Sequence, residues 1–265
     1  MLTFIGLGLH DERGITLRGL EIARASDFVF AEFYTSFMPG LSTNGLEKLV
    51  GKHVELLSRA DIEEKAEERV LKLAEKSRVA LLVPGDSMTA TTHVDLRLRA
   101  AKKGIGTLVV YGVSVASAIA SATGLQSYKF GKTVTVPMVE SGKPSETPYD
   151  VIKENGERGL HTLVLLDVKA DLGKYLLIKE ALEQLLVVEG KRHERVVSAD
   201  RLAVGLARVG SDDSRVKGGR VKDLIHHDFG GPPHSLVFPG RLHFMEAETL
   251  ELLADTGKEI LEVGR

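Results

Sequence analysis

The chain has 265 residues, 43% hydrophobic and 27% charged, with 35 Lys and Arg against 37 Asp and Glu for a formal net charge of −2. That length suits one large or two ordinary domains, and the near-balanced charge leaves no electrostatic footprint for nucleic acid. Cysteine is absent, which removes disulfides, thiolate metal sites and a cysteine nucleophile and is in keeping with a reducing cytoplasm.

Asn44 and Asn155, Gln126 and Gln184 are the only side-chain amides among plentiful Glu, Lys and Arg, a balance that leans towards a thermophile. Residues 2–7 form a short apolar strand with no basic region before it, so no signal peptide is expected. The strand runs into Gly6-Leu7-Gly8, where glycine permits close backbone approach to a ligand. The third glycine of a dinucleotide fingerprint would fall on Asp11, so a standard NAD site fails there. Residues 15–25 read as a helix with Thr16 as N-cap.

Residues 27–34 read as a second strand, with Glu32 expected at an edge position facing water. A long loop through Pro39-Gly40 and Asn44-Gly45 follows, of the kind used as a lid. Residues 53–57 are a third strand, and 62–76 an amphipathic helix with apolar positions at 62, 66, 70, 73 and 74. The apolar run 79–83 has the composition of a strand buried on both faces. It stops at Pro84-Gly85. Asp86 and several hydroxyl residues follow, then a helix over 93–103. This segment is either a plain strand-to-helix turn or a ligand loop, since open α/β sheets bind ligands beyond the carboxyl ends of their strands. Residues 107–111 are a fifth strand. The small residues of 112–124 suit a helix packed tightly on the sheet, or one whose first N–H groups and Ser114 face a ligand. Strand alternating with helix implies a mostly parallel sheet. The longest charge-free stretch, 105–128, is broken near Gly112 and is not expected to span a membrane.

Beyond residue 125 the pattern changes. Strands are expected over 132–138, 161–167, 202–209, 216–222 and 235–239, and helices over 149–158, 176–188 and 243–254, with 140–148 as loop. Paired β segments joined by charged turns point to a second α/β domain with a mixed sheet. The expected division is an N-terminal domain over 1–112, a connecting segment over 113–124 and a C-terminal domain over 125–265.

Nine histidines are present, none in a metal-ligand pattern; there is no H-E-x-x-H, no G-x-S-x-G and no P-loop. No metal is expected, and ATPases and serine hydrolases are disfavoured. What is left is a set of strand-end loops offering backbone amides, hydroxyls and a few acids: 6–9, 85–92, 112–115, 166–167, 208–210 and 233–235. Such a set suits a ligand that is part nucleoside and part cation, a description that S-adenosylmethionine fits.

The segments G-L-G-L at 6–9, I-T-L-R-G-L-E-I-A-R-A-S-D at 15–27, V-P-G-D at 83–86 and Y-G-V-S-V-A-S-A at 111–118 resemble the tetrapyrrole methylase superfamily of S-adenosylmethionine-dependent methyltransferases. The more specific A-E-F-Y-T-S at 31–36, A-T-T-H at 90–93, Y-K-F-G-K-T at 128–133, Y-D-V-I-K-E-N at 149–155, G-L-H-T-L-V-L-L-D-V-K-A at 159–170 and D-F-G-G-P-P-H-S-L-V-F-P-G at 228–240 resemble its diphthine synthase branch, so that the likeness spans nearly the whole chain. The resemblance implies two α/β domains with S-adenosylmethionine in the cleft between them, a cytoplasmic homodimer, and no partnership with nucleic acid or membrane. It implies methylation, to the trimethylated stage, of the amino group on a modified histidine of translation elongation factor 2. By position it implies cofactor contacts at Leu9, Asp86, Thr89, Ser114, Val115, Leu166, Val209 and His234. Ser87 stands where many relatives carry Pro. No spacing singles out a general base; Glu32, Tyr34 and His10 are acceptors near strand ends, and no catalytic residue is assigned. A tetrapyrrole methyltransferase of the same fold and a non-catalytic nucleotide-binding module stay open as alternatives.

Overall fold

The computed structural model describes residues 1–140 and 142–261. Their contacts divide them into two units, Met1–Val115 with Val168–Lys174, and Ala116–Asp167 with the chain from Tyr175 onward.

The first unit is built on a parallel five-stranded sheet of order β3-β2-β4-β1-β5: β1 Leu2–Gly6, β2 Phe28–Ala31, β3 Glu55–Leu56, β4 Val79–Val83 and β5 Thr107–Val110. Strands β1 and β4 are apolar at successive positions because both sheet faces are covered. Phe4, Val79 and Leu81 pack into one core, Ile5, Ala80 and Leu82 into another. Five helices accompany the sheet: α1 Leu17–Ala25, α2 Thr43–Val50, α3 Arg59–Glu63, α4 Lys72–Lys76 and α5 His93–Lys102. The Thr16 hydroxyl caps α1 by accepting from Gly19 N at 3.0 Å, a contact generally worth about 1 kcal/mol.

Three local expectations need correction. Glu32 faces no water. It follows β2, which lies between β3 and β4, and its side chain is wholly buried. The long loop expected through Pro39-Gly40 and Asn44-Gly45 gives way at Thr43 to α2: Ser42 accepts from Gly45 N at 3.0 Å, Leu46 and Val50 are buried, and Gly51 ends the helix in the left-handed region at φ 79°. The single helix expected over 62–76 is broken at Glu64-Lys65 after α3, and resumes through a π-helical turn at Glu67–Leu71 that runs into α4. Its apolar positions recur every four residues, so on a straight 3.6-residue helix the stripe would rotate by about 40° per turn. The wider π turn absorbs that drift, and Ile62, Ala66, Val70 and Ala74 all stay buried.

The second unit holds a mixed sheet of order β11-β10-β12-β7-β6: β6 Val134–Val136, β7 Thr162–Leu166, β10 Leu202–Ala207, β11 Arg215–Arg220 and β12 His234–Phe238. Only β6–β7 pairs in parallel. A small hairpin, β8 Val168–Lys169 with β9 Lys174–Tyr175, follows β7 in the chain, its residues up to Lys174 being counted with the first unit. The helices are α6 Val115–Thr123, which starts on the last residue of the first unit, α7 Thr147–Glu157, α8 Ile178–Arg192, α9 Val221–Leu224, α10 Phe244–Leu253 and α11 Lys258–Leu261. The strand expected over 216–222 stops at Arg220 and turns into α9. The core joins Tyr149 and Ile152 of α7, Leu182 and Leu185 of α8, and the sheet.

A buried polar node fastens this unit. Glu246, on α10, accepts from Gln126 N at 2.9 Å, His243 N at 2.8 Å and His161 Nε2 at 2.9 Å, and pairs with Lys129. His161 Nδ1 accepts from Gly240 N at 3.0 Å, which places the ring proton on Nε2. Burial alone would raise the carboxyl of Glu246, but these donors outweigh it and hold it down to about 2.

Candidate functional site

In the first unit the in-register pairing of Gly6 with Val83 and of Ile5 with Val110 aligns the carboxyl ends of β1, β4 and β5. Leu9, Asp86 with Thr89, and Ser114 with Val115 follow these three adjacent ends, so the structure brings the first five expected contacts to one sheet edge. The backbones interlock there. Gly8 and Gly85 form an isolated antiparallel bridge, with Gly85 N donating to Gly8 O at 2.7 Å and Gly8 N to Gly85 O at 3.1 Å. A Cβ on Gly6 would lie 2.6 Å from Gly85 O, and one on Gly112 would lie 2.3 Å from it. Only glycine permits that approach.

Asp86 braces the edge. Its Oδ1 accepts from Met88 N at 2.9 Å and Thr89 Oγ1 at 3.0 Å, and its Oδ2 from Gly112 N at 3.2 Å. The carboxylate thereby ties the β4 loop to the β5 loop, with lone-pair capacity left over. A Cβ on Gly85 would meet nothing within 4 Å, so its backbone presents an open face. Thr89 is exposed, and Leu9, Ser114 and Val115 are half-buried.

In the second unit the antiparallel register sets Ser235 against Leu165 and His234 against Ala207. Leu166, Val209 and His234 therefore meet at one end of β7, β10 and β12. Burial lowers the pKa of the His234 imidazole. The ring is fully engaged: Nδ1 accepts from Ile178 N at 3.3 Å, and Nε2 faces the carbonyls of Gly230 and Gly231 at 3.1 Å each. Its side chain is thus a fastener, and any ligand contact at His234 falls to the main chain. Arg208 fixes the same loop. Its buried guanidinium donates to Phe229 O at 2.9 Å, to Gly231 O, and to Asp213 Oδ2 at 2.6 Å. A cavity of about 320 Å³ opens beside it, walled by Leu177, Ile178, His226, Phe229 and His234, at the low end of the ~300–1,000 Å³ of small-molecule sites.

Of five non-glycine residues in the left-handed region among the described residues, two, Ala90 at φ 56° and Arg208 at φ 50°, adjoin Thr89 and Val209. Such backbone strain gathers at ligand sites. Of the residues weighed as proton acceptors, Glu32 and Tyr34 are enclosed and His10 is half-buried. Burial pushes the Tyr34 hydroxyl up and the Glu32 carboxyl up to about 7. Sequence reasoning missed the enclosure of Glu32 and His93. The available signal was a carboxylate two and three residues before the N–H groups of Tyr34 and Thr35, which it accepts at 3.0 and 3.1 Å.

The strand-end residues fit S-adenosylmethionine. The edge of the first unit is bare backbone with hydroxyls, and no Lys or Arg occurs in 84–92 or 111–115 to repel a sulfonium. Among the described residues no group of three or more His, Asp or Glu is placed to hold a metal.

The family profile of the tetrapyrrole (corrin/porphyrin) methylases matches residues 1–225. A diphthine synthase of Methanosarcina mazei is 51% identical over 268 residues, 99% of each chain. Another from Methanocaldococcus jannaschii is 43% identical over 257 residues, 96% of this chain and 99% of its own. The crystal structure of a diphthine synthase matches with a TM-score of 0.90 and 40% identity, over 98% of both chains.

Proposed function

The chain belongs to the tetrapyrrole (corrin/porphyrin) methylases and, among them, to the diphthine synthases, and from that premise we propose that it methylates the 3-amino-3-carboxypropyl-modified histidine of translation elongation factor 2, giving diphthine in diphthamide biosynthesis. The observation that carries this reading is identity of 43% to 51% to diphthine synthases over nearly the full length. The tetrapyrrole-substrate alternative has the shared fold and the superfamily profile over residues 1–225 in its favour, but no such full-length identity.

S-adenosylmethionine, when bound, supplies a methyl group on a sulfonium sulfur, already an electrophile. Leu9, Asp86, Thr89, Ser114 and Val115 of the first unit and Leu166, Val209 and His234 of the second are its contacts in this proposal. Asp86 acts by holding the β4 and β5 loops at a fixed spacing. Leu166, Val209 and His234 offer main-chain groups at the ends of β7, β10 and β12. The attacking amine must be neutral and in line with the bond that breaks. The chain's part is orientation, with water free to take the proton, and no residue is assigned as a base. Transfer repeats on the same nitrogen to the trimethylated stage. The enzyme works as a cytoplasmic homodimer, without a metal. Among the described residues no helix is long and apolar enough to cross a membrane.

The test is incubation of the protein and methyl-labelled S-adenosylmethionine with elongation factor 2 bearing the unmethylated precursor, read by mass spectrometry of the modified peptide. Methyl groups on the precursor amine are expected. S-adenosylmethionine binding without any S-adenosylhomocysteine released, or transfer to a porphyrinoid instead, would overturn the reading.

A further inference from the structure

Behind the loop that carries Asp86 and Thr89 lies a cluster of enclosed polar groups that the methyl transfer does not use. Glu32, Ser87 and His93 are wholly buried and Tyr34 is 5% exposed. Glu32 Oε1 lies 3.6 Å from His93 Nε2, too far for a hydrogen bond. The Tyr34 hydroxyl faces the Thr92 side chain, but it, the Ser87 hydroxyl and both ring nitrogens of His93 complete no hydrogen bond of good geometry. The rings of Tyr34 and His93 are 6.4 Å apart, and the Ser87 main chain faces the imidazole. Buried polar atoms are nearly always paired, with protein or with ordered water. The carboxyl and the imidazole, each able to donate and to accept, are the two groups of the cluster that face each other across the β2 and β4 loops.

The position of the cluster gives it a consequence. The 85–92 loop is fixed on one flank by the Gly8–Gly85 bridge and by Asp86 reaching Gly112 N. Its tip, Thr89 and Ala90, is exposed, and Thr92 places no side-chain cap on α5, donating instead to Glu63 Oε1 at 3.1 Å. Ser87 and His93 are the other flank. Glu32 in turn accepts from Thr35 Oγ1 at 2.5 Å as well as from the Tyr34 and Thr35 amides, so a link from His93 to Glu32 joins the β4 loop to the β2 loop.

We propose that Glu32 and His93, facing each other at 3.6 Å in the enclosed cluster with Tyr34 and Ser87, are the positioning pair of the 85–92 loop and set the affinity for S-adenosylmethionine without setting the rate of transfer. This rests on reading that loop as a cofactor loop. His93, pushed down to about 4 by burial, is a neutral ring at working pH. The charged groups around the cluster are Arg59, whose guanidinium lies 4.9 Å from the Tyr34 ring centre, and Glu63, which Arg59 pairs at 3.3 Å.

The experiment is calorimetric titration of the full chain with S-adenosylhomocysteine, together with kcat at saturating S-adenosylmethionine. His93→Phe, ring-sized but without polar atoms, is expected to weaken binding about tenfold, a change of one decade in Kd, with kcat within about twofold, because uniform binding is lost and transition-state binding is not. His93→Gln, which keeps a donor and an acceptor, should recover most of the affinity. If His93→Phe does not fold, Ser87→Ala and Tyr34→Phe, each removing one hydroxyl, decide the matter through the same split. Wild-type affinity in the folded variants, or a loss confined to kcat, overturns the pair. Asp86→Ala separates the two levels. If it loses binding while the pair variants do not, only the pair falls; if it too binds normally, the reading of the loop falls.

Discussion

Glu32 Oε1 and His93 Nε2 lie 3.6 Å apart with both side chains wholly excluded from solvent, and their proton affinities have crossed. Burial pushes the carboxyl up from 4.5 to about 7 and the imidazole down from 6.5 to about 4. Between pH 4.5 and 6.5 the folded pair keeps its one proton on Glu32, and the unfolded chain keeps one proton on the histidine. The counts match, so the pair adds no slope to stability in that window. Each single variant breaks the balance. Glu32→Gln leaves a histidine whose folded pKa is depressed, so relative to the parent its stability should fall as pH drops from 6.5 towards 4. His93→Gln leaves a carboxyl whose folded pKa is raised, so its stability should fall as pH rises from 4.5 towards 7. Denaturant titrations across this range should show opposite slopes of about 1.4 kcal/mol per pH unit. Parallel profiles would refute the crossed assignment.

Asp86→Ala should cost both fold and ligand. Three hydrogen bonds to the carboxylate are lost, and Gly112 N is left without its acceptor, so stability should drop by about 1–3 kcal/mol in urea unfolding. Affinity for S-adenosylhomocysteine should drop by about tenfold or more, one decade in Kd, since the β4 and β5 loops are no longer tied.

Gly112→Ala should be worse than most glycine changes. Its Cβ would stand 2.3 Å from Gly85 O and 2.8 Å from Gly6 Cα, with backbone on every side and no flexible side chain to yield. A loss of about 3 kcal/mol or more is expected, as for overpacking against atoms that cannot shift. The paired control is Gly106→Ala, which meets nothing within 4 Å and should unfold with the parent's midpoint.

Glu246→Ala removes the carboxylate that Gln126, Lys129, His161 and His243 share, and should destabilise by about 3–5 kcal/mol, the usual cost of breaking a buried ion pair. Because the folded carboxyl is depressed to about 2, its stabilisation is present above pH 4.5 and is lost as pH falls through 2. The variant and the parent should therefore converge under acid unfolding.

Where a sequence signal was local, the structure followed it. Thr16 caps α1, Pro84-Gly85 ends β4, and the continuous apolar runs of β1 and β4 belong to strands covered on both faces. The gathering of Leu9, Asp86 and Ser114 at one sheet edge was legible because each follows a strand. The failures came from partners distant in sequence. Glu32 reads as a water-facing residue because the strand order, which puts β2 between β3 and β4, is written in no local stretch of sequence. The π turn lies in a four-residue spacing that looks helical until its phase is followed over four turns. The enclosure of His93 depends on the β2 and β4 loops meeting, which no window of the sequence contains.

Arg208 carries one last consequence. With its guanidinium spent on the carbonyls of Phe229 and Gly231 and on Asp213, the loop before β12 is set before any guest arrives. A guest at that edge surrenders little chain freedom on docking. Arrival should then run at the pace of ordinary diffusional encounter, and discrimination between close analogues should show in how long each one stays.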